Sequence, residues 1–406
     1  MNLKYKRGTF FKYVIKERLN TNKEMTSIDK IDLEGKRIFL RTDLNVPIVE
    51  GRLTDMSRLT AVKETIEHII THKASCVLAS HIGRPNGHDE SLSTELLIPY
   101  LEAMLGISIK FAKDSIGKNV DDAKQQLKPG EILLLENLRF YKEEYENDMS
   151  FAESLSAFCD VYINDAFATC HRSHASLVSI VKFFKEDIGI GIRMKRELNA
   201  LDRILTYPKS PFTIVVGGSK VSTKIGLLKS LASIVDNILI GGAMANTFIY
   251  VRDGCKGSRI PSEDCINAAR DLLEGEYKAK IQLPIDGISF GGADCDNSEP
   301  MFDIGLKTCE LFDSIINASK TIIWNGPMGM FENELYANGT RTIAQSIAAA
   351  DAFSIFGGGD TMSAVNAAGI PPEKFGFVST GGGALLYAIE NGCLPSIQTM
   401  QQFRSS

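Results

Sequence analysis

Histidine is absent from the second half of this 406-residue chain. Imidazole is the side chain most often used for proton transfer near neutral pH, and it is the commonest metal ligand in proteins. Its absence therefore excludes histidine-based acid–base or metal chemistry from that half. The six histidines all lie before residue 175 and are His68, His72, His81, His88, His171 and His174.

Paired cysteine motifs and long apolar runs are also absent. The eight cysteines form no C-x-x-C pair, which excludes zinc-ribbon and thioredoxin-like sites, and their scatter indicates reduced thiols in the cytoplasm. No apolar stretch approaches the roughly 20 residues that a membrane-spanning helix needs. We therefore expect a cytoplasmic protein without a membrane partner.

The chain has little net charge. Lys and Arg total 45 and Asp and Glu total 50, a balance of −5 that argues against a dedicated nucleic-acid binder. The first 24 residues differ, because seven basic and two acidic side chains give them a local charge of +5. Their apolar run is too short for a signal peptide and is interrupted by Lys12. We predict a disordered extension ahead of Met25, with an organelle transit peptide as the less supported alternative.

Short apolar runs rich in β-branched residues recur along the chain. They are continuous rather than alternating, which is typical of strands buried on both faces of a parallel sheet. Amphipathic segments with helical spacing lie between them, at 57–72 and 193–205. This alternation predicts an α/β fold with doubly wound, Rossmann-like parallel sheets. The runs are 38–40, 76–80, 132–135, 161–164, 212–216, 237–240, 321–324, 353–356 and 375–379.

A domain boundary is predicted within 185–211, where IGIGI leads into an amphipathic helix and TYPKSP follows it. We predict an N-terminal domain over 25–190 and a C-terminal domain over 191–392. A hinge helix at about 188–206 is expected to join them, with a cleft between the domains. The tail 393–406 is expected to pack back on the N-terminal domain.

Glycine-rich turns follow four strands of the second half. Glycine lets a ligand approach the backbone closely, and a helix N-terminus offers free N–H groups, so the combination suits phosphate. The usual P-loop and dinucleotide patterns are both missing. Four such turns nevertheless favour a nucleotide site over simple strand–helix packing. The turns are VVGGSKVSTK (215–224), IGGAMANTF (240–248), FGGGDTMSA (356–364) and STGGGALL (379–386).

Three charged side chains accompany these turns. Lys220 and Lys224 are four residues apart at the start of the expected helix, so they share one face. That face is either solvated or in contact with phosphate, and the glycine turn favours phosphate. Asp360 is either the N-cap of its helix or a carboxylate that holds magnesium on nucleotide phosphates, and the residues alone leave both open.

Polar residues in the first half follow the strand ends, in RTDLNVP (41–47), SHIGRP (80–85), ENLRF (136–140) and NDAFATCHRSH (164–174). With Arg58, these segments supply a set of arginines. Guanidinium groups bind carboxylate and phosphate bidentately, so their convergence predicts a small ligand with several negative charges. His171 and His174 fit hydrogen-bond donors to that anion better than zinc ligands. The arginines are Arg58, Arg84, Arg139 and Arg172.

Together, eight motifs resemble, in chain order, the signature segments of phosphoglycerate kinase. The resemblance runs from about residue 27 to 395. It implies a monomeric two-domain kinase that transfers a phosphoryl group reversibly between 1,3-bisphosphoglycerate and ADP, with Mg²⁺. The motifs are RTDLNVP, SHIGRP, LLLENLRF, NDAFATCHRSHAS, VVGGSKVSTKI, WNGPMGMFE, FGGGDT and STGGGA.

The resemblance also implies roles for individual residues. The side chains expected to bind 3-phosphoglycerate are Asp43, Asn45, Arg58, His81, Arg84, Arg139 and Arg172. Those expected to bind ATP or ADP are Lys220, Lys224, Gly241, Gly242, Asn325, Pro327, Glu332, Gly358, Gly359, Asp360 and Thr361, with Asp360 also contacting the metal. The groups expected around the transferring phosphoryl are Arg58, Lys220, Gly382 and Gly383.

Three departures from the family pattern fall outside the ligand-binding side chains. Leu306 stands in place of the usual proline, Tyr387 in place of a glutamate, and Ala168 and Cys170 in place of glycine and alanine. Activity is therefore still expected. The alternatives are a nicotinamide-dependent dehydrogenase, which lacks its glycine fingerprint, and a catalytically silent metabolite-binding protein of the same fold.

Overall fold

A computed structural model describes residues 25–185, 187–219, 224–254, 261–295 and 300–404. The basic extension expected over 1–24 lies outside these residues. Within the described ranges, no helix is both long and apolar enough to cross a membrane.

The chain folds as two compact units. In the described residues, the first unit consists of 25–199 together with 393–404, and the second consists of 200–392. The division falls inside one continuous helix, Ile192–Leu205, rather than at residue 190.

A parallel six-stranded sheet, counted over the described residues, forms the centre of the first unit. Its strand order is β5-β6-β4-β1-β7-β8, and Ile38 of β1 pairs with Cys76 of β4 on one side and with Val161 of β7 on the other. These three residues of β1, β4 and β7 are buried, as the continuous apolar runs predict. The strands are β1 (Arg37–Thr42), β4 (Ser75–Ala79), β5 (Ile109–Ala112), β6 (Ile132–Leu135), β7 (Val161–Asp165) and β8 (Ile188–Ile190).

A short antiparallel hairpin and a set of helices complete the first unit. The hairpin pairs β2 (Ile48–Val49) with β3 (Arg52–Leu53). The helices are α1 (Ser57–Thr71), α2 (Ile98–Leu105), α3 (Lys118–Gln125), α4 (Lys142–Tyr145), α5 (Met149–Ser156), the shared α6 (Ile192–Leu205) and the C-terminal α14 (Pro395–Arg404).

The C-terminal helix α14 packs within the first unit. The backbone N–H of Ser396 donates to the carbonyl of Cys170 at 3.4 Å, and Ile397 and Met400 are buried. The turn that carries His171 and Arg172 therefore rests on this helix.

A second parallel sheet lies at the centre of the second unit, also with six described strands. Its order is β11-β10-β9-β15-β16-β17, with Ile214 of β9 opposite Ile323 of β15. The strands are β9 (Phe212–Val216), β10 (Asn237–Ile240), β11 (Ile281–Gln282), β15 (Thr321–Asn325), β16 (Phe353–Gly357) and β17 (Phe377–Ser379).

A small antiparallel sheet of order β13-β12-β14 and seven described helices complete the second unit. The strands are β12 (Gly287–Ile288), β13 (Asp294–Cys295) and β14 (Asp303–Ile304). The helices are α7 (Ile225–Leu231), α8 (Gly242–Asp253), α9 (Glu263–Glu274), α10 (Leu306–Ala318), α11 (Asn338–Ala349), α12 (Gly359–Ala367) and α13 (Gly382–Asn391).

The α/β class with two parallel sheets is confirmed. Both long amphipathic segments are helices, and in α6 the predicted apolar face (Met194, Leu198, Leu201 and Ile204) is buried. Because every strand in a parallel sheet points the same way, the loops after the strands meet along one edge. Each unit thus has one edge that gathers the residues following its strands.

Candidate active site

In the first unit, the polar segments follow strands that are neighbours in the sheet. The order β6-β4-β1-β7 places Arg139, His81, Asp43 and Arg172 at the carboxyl ends of adjacent strands. Segments nearly 130 residues apart in sequence, from Asp43 to Arg172, therefore meet at one edge.

Arg58 is held by the loop after β1. Its Nη1 donates to Asp43 Oδ2 at 2.6 Å, while Asp43 Oδ1 accepts from the backbone N–H of Asn45 at 3.1 Å. The Asn45 side chain is itself used, because its Oδ1 accepts from the Gly83 N–H at 2.8 Å. Asp43 is buried, but the Arg58 side chain remains 29% exposed. Asp43 thus fixes the orientation of the Arg58 side chain, and the exposed part of that side chain remains available to a ligand.

His81 is a buried neutral donor. Burial, reinforced by Arg41, Arg139 and Arg58, lowers its pKa well below the usual value. Its Nδ1 lies 3.4 Å from Arg41 Nη2. Because a guanidinium can only donate, Nδ1 accepts and the neutral ring carries its proton on Nε2. His81 can therefore offer one N–H to an anion without adding charge.

Arg139 is a buried cation with unused donor capacity. Its Nη1 donates to the Gly83 carbonyl at 2.7 Å, and its buried Nε has no hydrogen-bond partner in the described part of the chain. Burial is the main cause that lowers its pKa to about 10, with Arg41 and Arg172 adding to the shift. It stays charged at neutral pH. A buried donor without an acceptor is unusual and points to a ligand.

Arg84 and Arg172 complete the set at the rim. Arg84 is exposed on the loop after β4, and Arg172 is half-buried in the turn after β7. Beside it, burial and the charge of Arg172 lower the pKa of His171 to about 4, so that this ring is neutral. All seven residues expected to bind 3-phosphoglycerate thus lie on the loops that follow β1, β4, β6 and β7 or at the start of α1.

In the second unit, five glycine-containing turns form a row. They follow β10, β9, β15, β16 and β17, which are consecutive in the sheet. Gly218 N–H donates to the Pro327 carbonyl at 2.7 Å, and Gly242 N–H donates to the Met328 carbonyl at 2.8 Å. Gly242 has a φ of 61°, and a Cβ there would collide with the Gly218 backbone. Only glycine allows these turns to lie so close together.

Lys224 differs from its expected position. Helix α7 begins at Ile225, so Lys224 precedes the helix instead of lying on its exposed face. Its Nζ donates to the Asn325 carbonyl at 3.0 Å and to the Gly217 carbonyl. Lys224 points inward because its hydrogen bonds to these two carbonyls compensate the cost of partly burying its ammonium group. Burial lowers its pKa to about 8, partly opposed by Asp360. Lys220 lies outside the described residues.

Asp360 is not the N-cap of its helix. Gly358, with a φ of 109°, occupies the N-cap of α12 and has no side chain to cap with, while Asp360 lies exposed in the first turn. The simpler of the two explanations for Asp360 therefore does not apply. The neighbouring Thr361 is buried, and its Oγ1 accepts from the Gly326 N–H at 2.9 Å.

The remaining residues expected at the site lie at the start of a helix, at the end of a strand or on a loop. Gly382 begins α13 and packs against the Gly358 backbone, and Gly383 is exposed beside it. Asn325 is buried, and its Nδ2 donates to the Gly357 carbonyl at 3.1 Å. Glu332 is exposed on the loop after β15. Asn325 thus joins two turns, whereas Gly383 and Glu332 face solvent.

Comparison with known proteins identifies the family of this chain. The family model "Phosphoglycerate kinase" matches residues 28–392. A phosphoglycerate kinase of Moorella thermoacetica is 37% identical, covering 93% of this chain and 99% of its own length. The cytosolic phosphoglycerate kinase of Nicotiana tabacum is 40% identical, with coverages of 92% and 98%. The chain belongs to the phosphoglycerate kinase family.

Solved structures of phosphoglycerate kinases share the fold. The enzyme from Coxiella burnetii superimposes with a TM-score of 0.83 at 32% identity, covering 93% of this chain and 99% of that chain. The one from Pyrococcus horikoshii gives 0.84 at 31% identity, with coverages of 94% and 99%.

Two departures from the phosphoglycerate kinase motifs, Leu306 and Cys170, are accommodated locally. Leu306 begins α10, where the Asp286 carboxylate accepts from the N–H groups of Lys307 and Thr308 at 3.0 and 2.8 Å. That turn is therefore capped without proline. Cys170 is buried under the Arg172 turn, and burial raises its pKa to about 12, so its thiol is inert.

A buried cluster of charged residues near the residues expected to bind 3-phosphoglycerate lies outside the predicted set. Glu144 is fully buried; its carboxylate accepts from the N–H and hydroxyl of Ser176 at 2.9 and 2.6 Å and lies 3.8 Å from Arg41 and 3.6 Å from His174. Burial alone would raise the pKa of Glu144, but His174 and Arg41 outweigh it and lower the pKa. Arg41 begins the RTDLNVP motif, whereas the segment KEEY (142–145), which contains Glu144, belongs to none of the eight motifs.

Proposed function

We propose that the first unit binds 3-phosphoglycerate and the second unit binds the nucleotide in phosphoglycerate kinase catalysis. The observation that carries this proposal is the cluster of arginines and neutral histidines at the edge of the first sheet. Asp43 and Glu144 are the carboxylates that contact it in the described residues, and Asp43 pairs only with Arg58. An excess of cationic donors of this kind suits a small ligand that carries both a carboxylate and a phosphate.

Each donor has a distinct part in the proposed binding. Arg139, with an unpartnered buried Nε, and the half-buried Arg172 are placed to bind the phosphate or carboxylate of the ligand. His81 adds a neutral N–H, and Asp43 and Asn45 accept or donate to its hydroxyl. Arg84, exposed at the rim, closes over it. This division is supported by the burial of each group and by the resemblance to the family.

The second unit offers donors that suit nucleotide phosphates. The helices α12 and α13 begin directly after the turns at Gly358 and Gly381, and their N-termini offer backbone N–H groups that favour anions. The N–H groups of Gly218 and Gly242 are instead bonded to the carbonyls of Pro327 and Met328. Lys224 adds a positive charge at neutral pH, because its pKa is about 8. Gly241 and Gly242 line the base pocket, and Glu332 takes the ribose hydroxyls. Lys220 is assigned to the phosphates by resemblance.

A magnesium ion fits the same turn. Magnesium in kinases is held by one or two carboxylates together with substrate phosphates, and the exposed Asp360 is one carboxylate beside the glycine turn. Asp360 would hold the ion, which when bound neutralises charge on the phosphates. The negative charge of Asp360 also opposes the lowering of the Lys224 pKa by burial, which is consistent with a carboxylate close to the phosphate-binding groups.

The transfer itself needs positioning and charge neutralisation more than acid–base chemistry. The group leaving from 1,3-bisphosphoglycerate is a carboxylate, a weak base, so no general base is required. This agrees with a nucleotide-binding half that has no histidine. We assign Arg58, Lys220 and the N–H groups of Gly382 and Gly383 to the transferring phosphoryl.

Because the two substrates bind to different units, we propose that a hinge motion about 188–206 accompanies transfer. Small-angle scattering of the free protein and of the protein with both substrates tests this. The radius of gyration is expected to fall when both ligands are bound, and an unchanged radius would contradict the closure.

A coupled assay with ATP, 3-phosphoglycerate and Mg²⁺ tests the function. Turnover that is lost when the metal is chelated supports the kinase. Binding of both substrates by calorimetry without turnover would instead indicate the silent metabolite-binding protein. A change of NADH absorbance with no added coupling enzyme would indicate the dehydrogenase.

We further propose a monomeric protein in the cytoplasm that binds no nucleic acid. The name of the tobacco relative, which includes "cytosolic", supports the location. The near-neutral charge balance supports the absence of nucleic acid. Size-exclusion chromatography with light scattering tests the oligomeric state.

A further inference from the structure

Asp303 is a fully buried carboxylate that pairs with no lysine or arginine in the described residues. It lies on β14, is 1% exposed, and accepts only backbone N–H groups. Burial raises its pKa to about 7, against two hydrogen bonds that lower it. A buried carboxylate without a cation is costly, so its retention needs an explanation. Asp303 begins the segment DIGLKT (303–308), which contains the Leu306 departure, and it lies outside the eight motifs.

The Asp303 carboxylate holds the start of helix α11. Its Oδ2 accepts from the N–H of Gly339, the second residue of that helix, at 2.7 Å. An acidic group at a helix N-terminus is favoured by the helix dipole. Gly329 and Gly339 both lie directly against the carboxylate, with no room for a Cβ on either. The acid is thus enclosed between the loop after β15 and the start of α11.

From α11 the contacts continue to the glycine turns. Thr340, the next residue, accepts through Oγ1 from the N–H groups of Met328 and Gly329 at 3.0 and 3.1 Å. The carbonyl of Met328 in turn accepts from Gly242 N–H at 2.8 Å, and that of Pro327 from Gly218 N–H at 2.7 Å. One chain of hydrogen bonds therefore links Asp303 to three of the turns assigned to the nucleotide.

We propose that Asp303 is a positioning residue for the nucleotide: by anchoring Gly339 it fixes Thr340, and through Thr340 it fixes the 326–329 loop against the Gly218 and Gly242 turns. The proposal rests on the nucleotide site proposed for the second unit. Asp303 does not touch the nucleotide itself. Asp303 acts through backbone groups that contact the nucleotide.

The test is Asp303→Asn, which keeps the size but removes the charge and half of the acceptor capacity. Loss of a charged buried hydrogen bond is expected to raise the dissociation constant for ADP with Mg²⁺, and the KM for ATP, by about tenfold. The KM for 3-phosphoglycerate is expected to change by less than about twofold, since that substrate is assigned to the first unit and shares no partner with Asp303. Calorimetry with ADP and Mg²⁺ gives the first value and steady-state kinetics the others.

Asp313→Asn is the matched control. Asp313 is also a carboxylate bonded to α11, because its Oδ1 accepts from Ser346 Oγ at 2.5 Å, but it makes no contact with the 326–329 loop. It should leave the dissociation constant for ADP unchanged. Thr340→Val is a second route, since it removes the Oγ1 acceptor while keeping the shape, and it should reproduce the selective loss even if Asp303→Asn fails to fold.

Three outcomes decide the matter. If the wild-type protein binds no ADP, the nucleotide site itself is wrong. If the wild type binds ADP and either folded variant binds it equally well, the role of Asp303 is overturned. If the affinities for both substrates fall together, Asp303 serves stability alone and the proposal fails.

Discussion

The two units offer anion-binding groups of different kinds. The first uses side chains: arginines, and histidines that are neutral because burial and neighbouring arginines lower their pKa values. The second uses backbone N–H groups of glycine turns, with Lys224 supplying charge. Side-chain donors depend on a buried counter-charge beneath them, whereas backbone donors depend on how closely the turns pack. Variants of the two units should therefore fail differently.

Removing the counter-charge of the first unit should have the largest effect. Glu144→Gln leaves Arg41 and His174 buried without a carboxylate, and breaking a buried pair in this way costs about 3–5 kcal/mol of unfolding free energy. Urea unfolding measures the loss. The adjacent Glu143→Gln is the control and should stay within about 0.5 kcal/mol of wild type. Equal stability of the two variants would show that the first unit does not need its buried acid.

Arg58→Ala should have the next largest effect, and on turnover rather than on stability. Removing one preorganised donor to a transferring group typically lowers kcat by about 10²–10³-fold. Steady-state kinetics with both substrates measures it, and Arg52→Ala, exposed on the β2–β3 hairpin, is the control. Near-normal kcat in Arg58→Ala would remove Arg58 from the reacting group.

Gly358→Ala tests the backbone design of the second unit. At a φ of 109° a side chain is strained, and such strain costs about 1–3 kcal/mol, although the nearest atom to a Cβ is 3.8 Å away. We expect a weaker affinity for ADP. Gly369→Ala, with a φ of 66° in the left-handed helical region and no atom of the described residues within 4 Å of its Cβ, introduces milder strain elsewhere and should lower stability without changing that affinity.

The smallest expected effect is a difference in pH dependence between the substrates. Lys224 is charged below its pKa of about 8 and neutral above it. The kcat/KM for ATP should therefore fall above pH 8, by at most about tenfold per pH unit, as the phosphates lose their cation. For 3-phosphoglycerate it should stay level to pH 9, because the pKa of Arg139 is about 10. Lys224→Arg should abolish the fall, and a fall that persists would exclude Lys224 as its cause.

Much of the fold follows from local sequence. The runs 132–135 and 212–216 coincide with β6 and β9, because strands buried on both faces must be continuously apolar. The edge strand β5 was not predicted, since Lys110 interrupts a run of four residues. The two-residue strands of the small antiparallel sheet are too short to show any period.

The site could be predicted only in part. Residues directly after strands, such as His81 and Asp360, are marked by their position in the sequence. Glu144 and Asp303 are not, because their roles arise from contacts with Arg41 and Gly339, 103 and 36 residues away. Lys224 was expected on a helix face but turns inward, because the Gly217 carbonyl of its own turn and the Asn325 carbonyl at the end of β15 accept its protons.

The sequence alone determined the fold class, the order of motifs and the absence of imidazole chemistry in the nucleotide half, because these depend on residue type and spacing. The tertiary structure decided which of the charged groups are buried, which nitrogen of His81 carries the proton, and that Gly358 rather than Asp360 occupies the N-cap position of its helix. Burial and hydrogen-bond partners come from segments far apart in the chain. Only the folded packing of strands and turns brings them together.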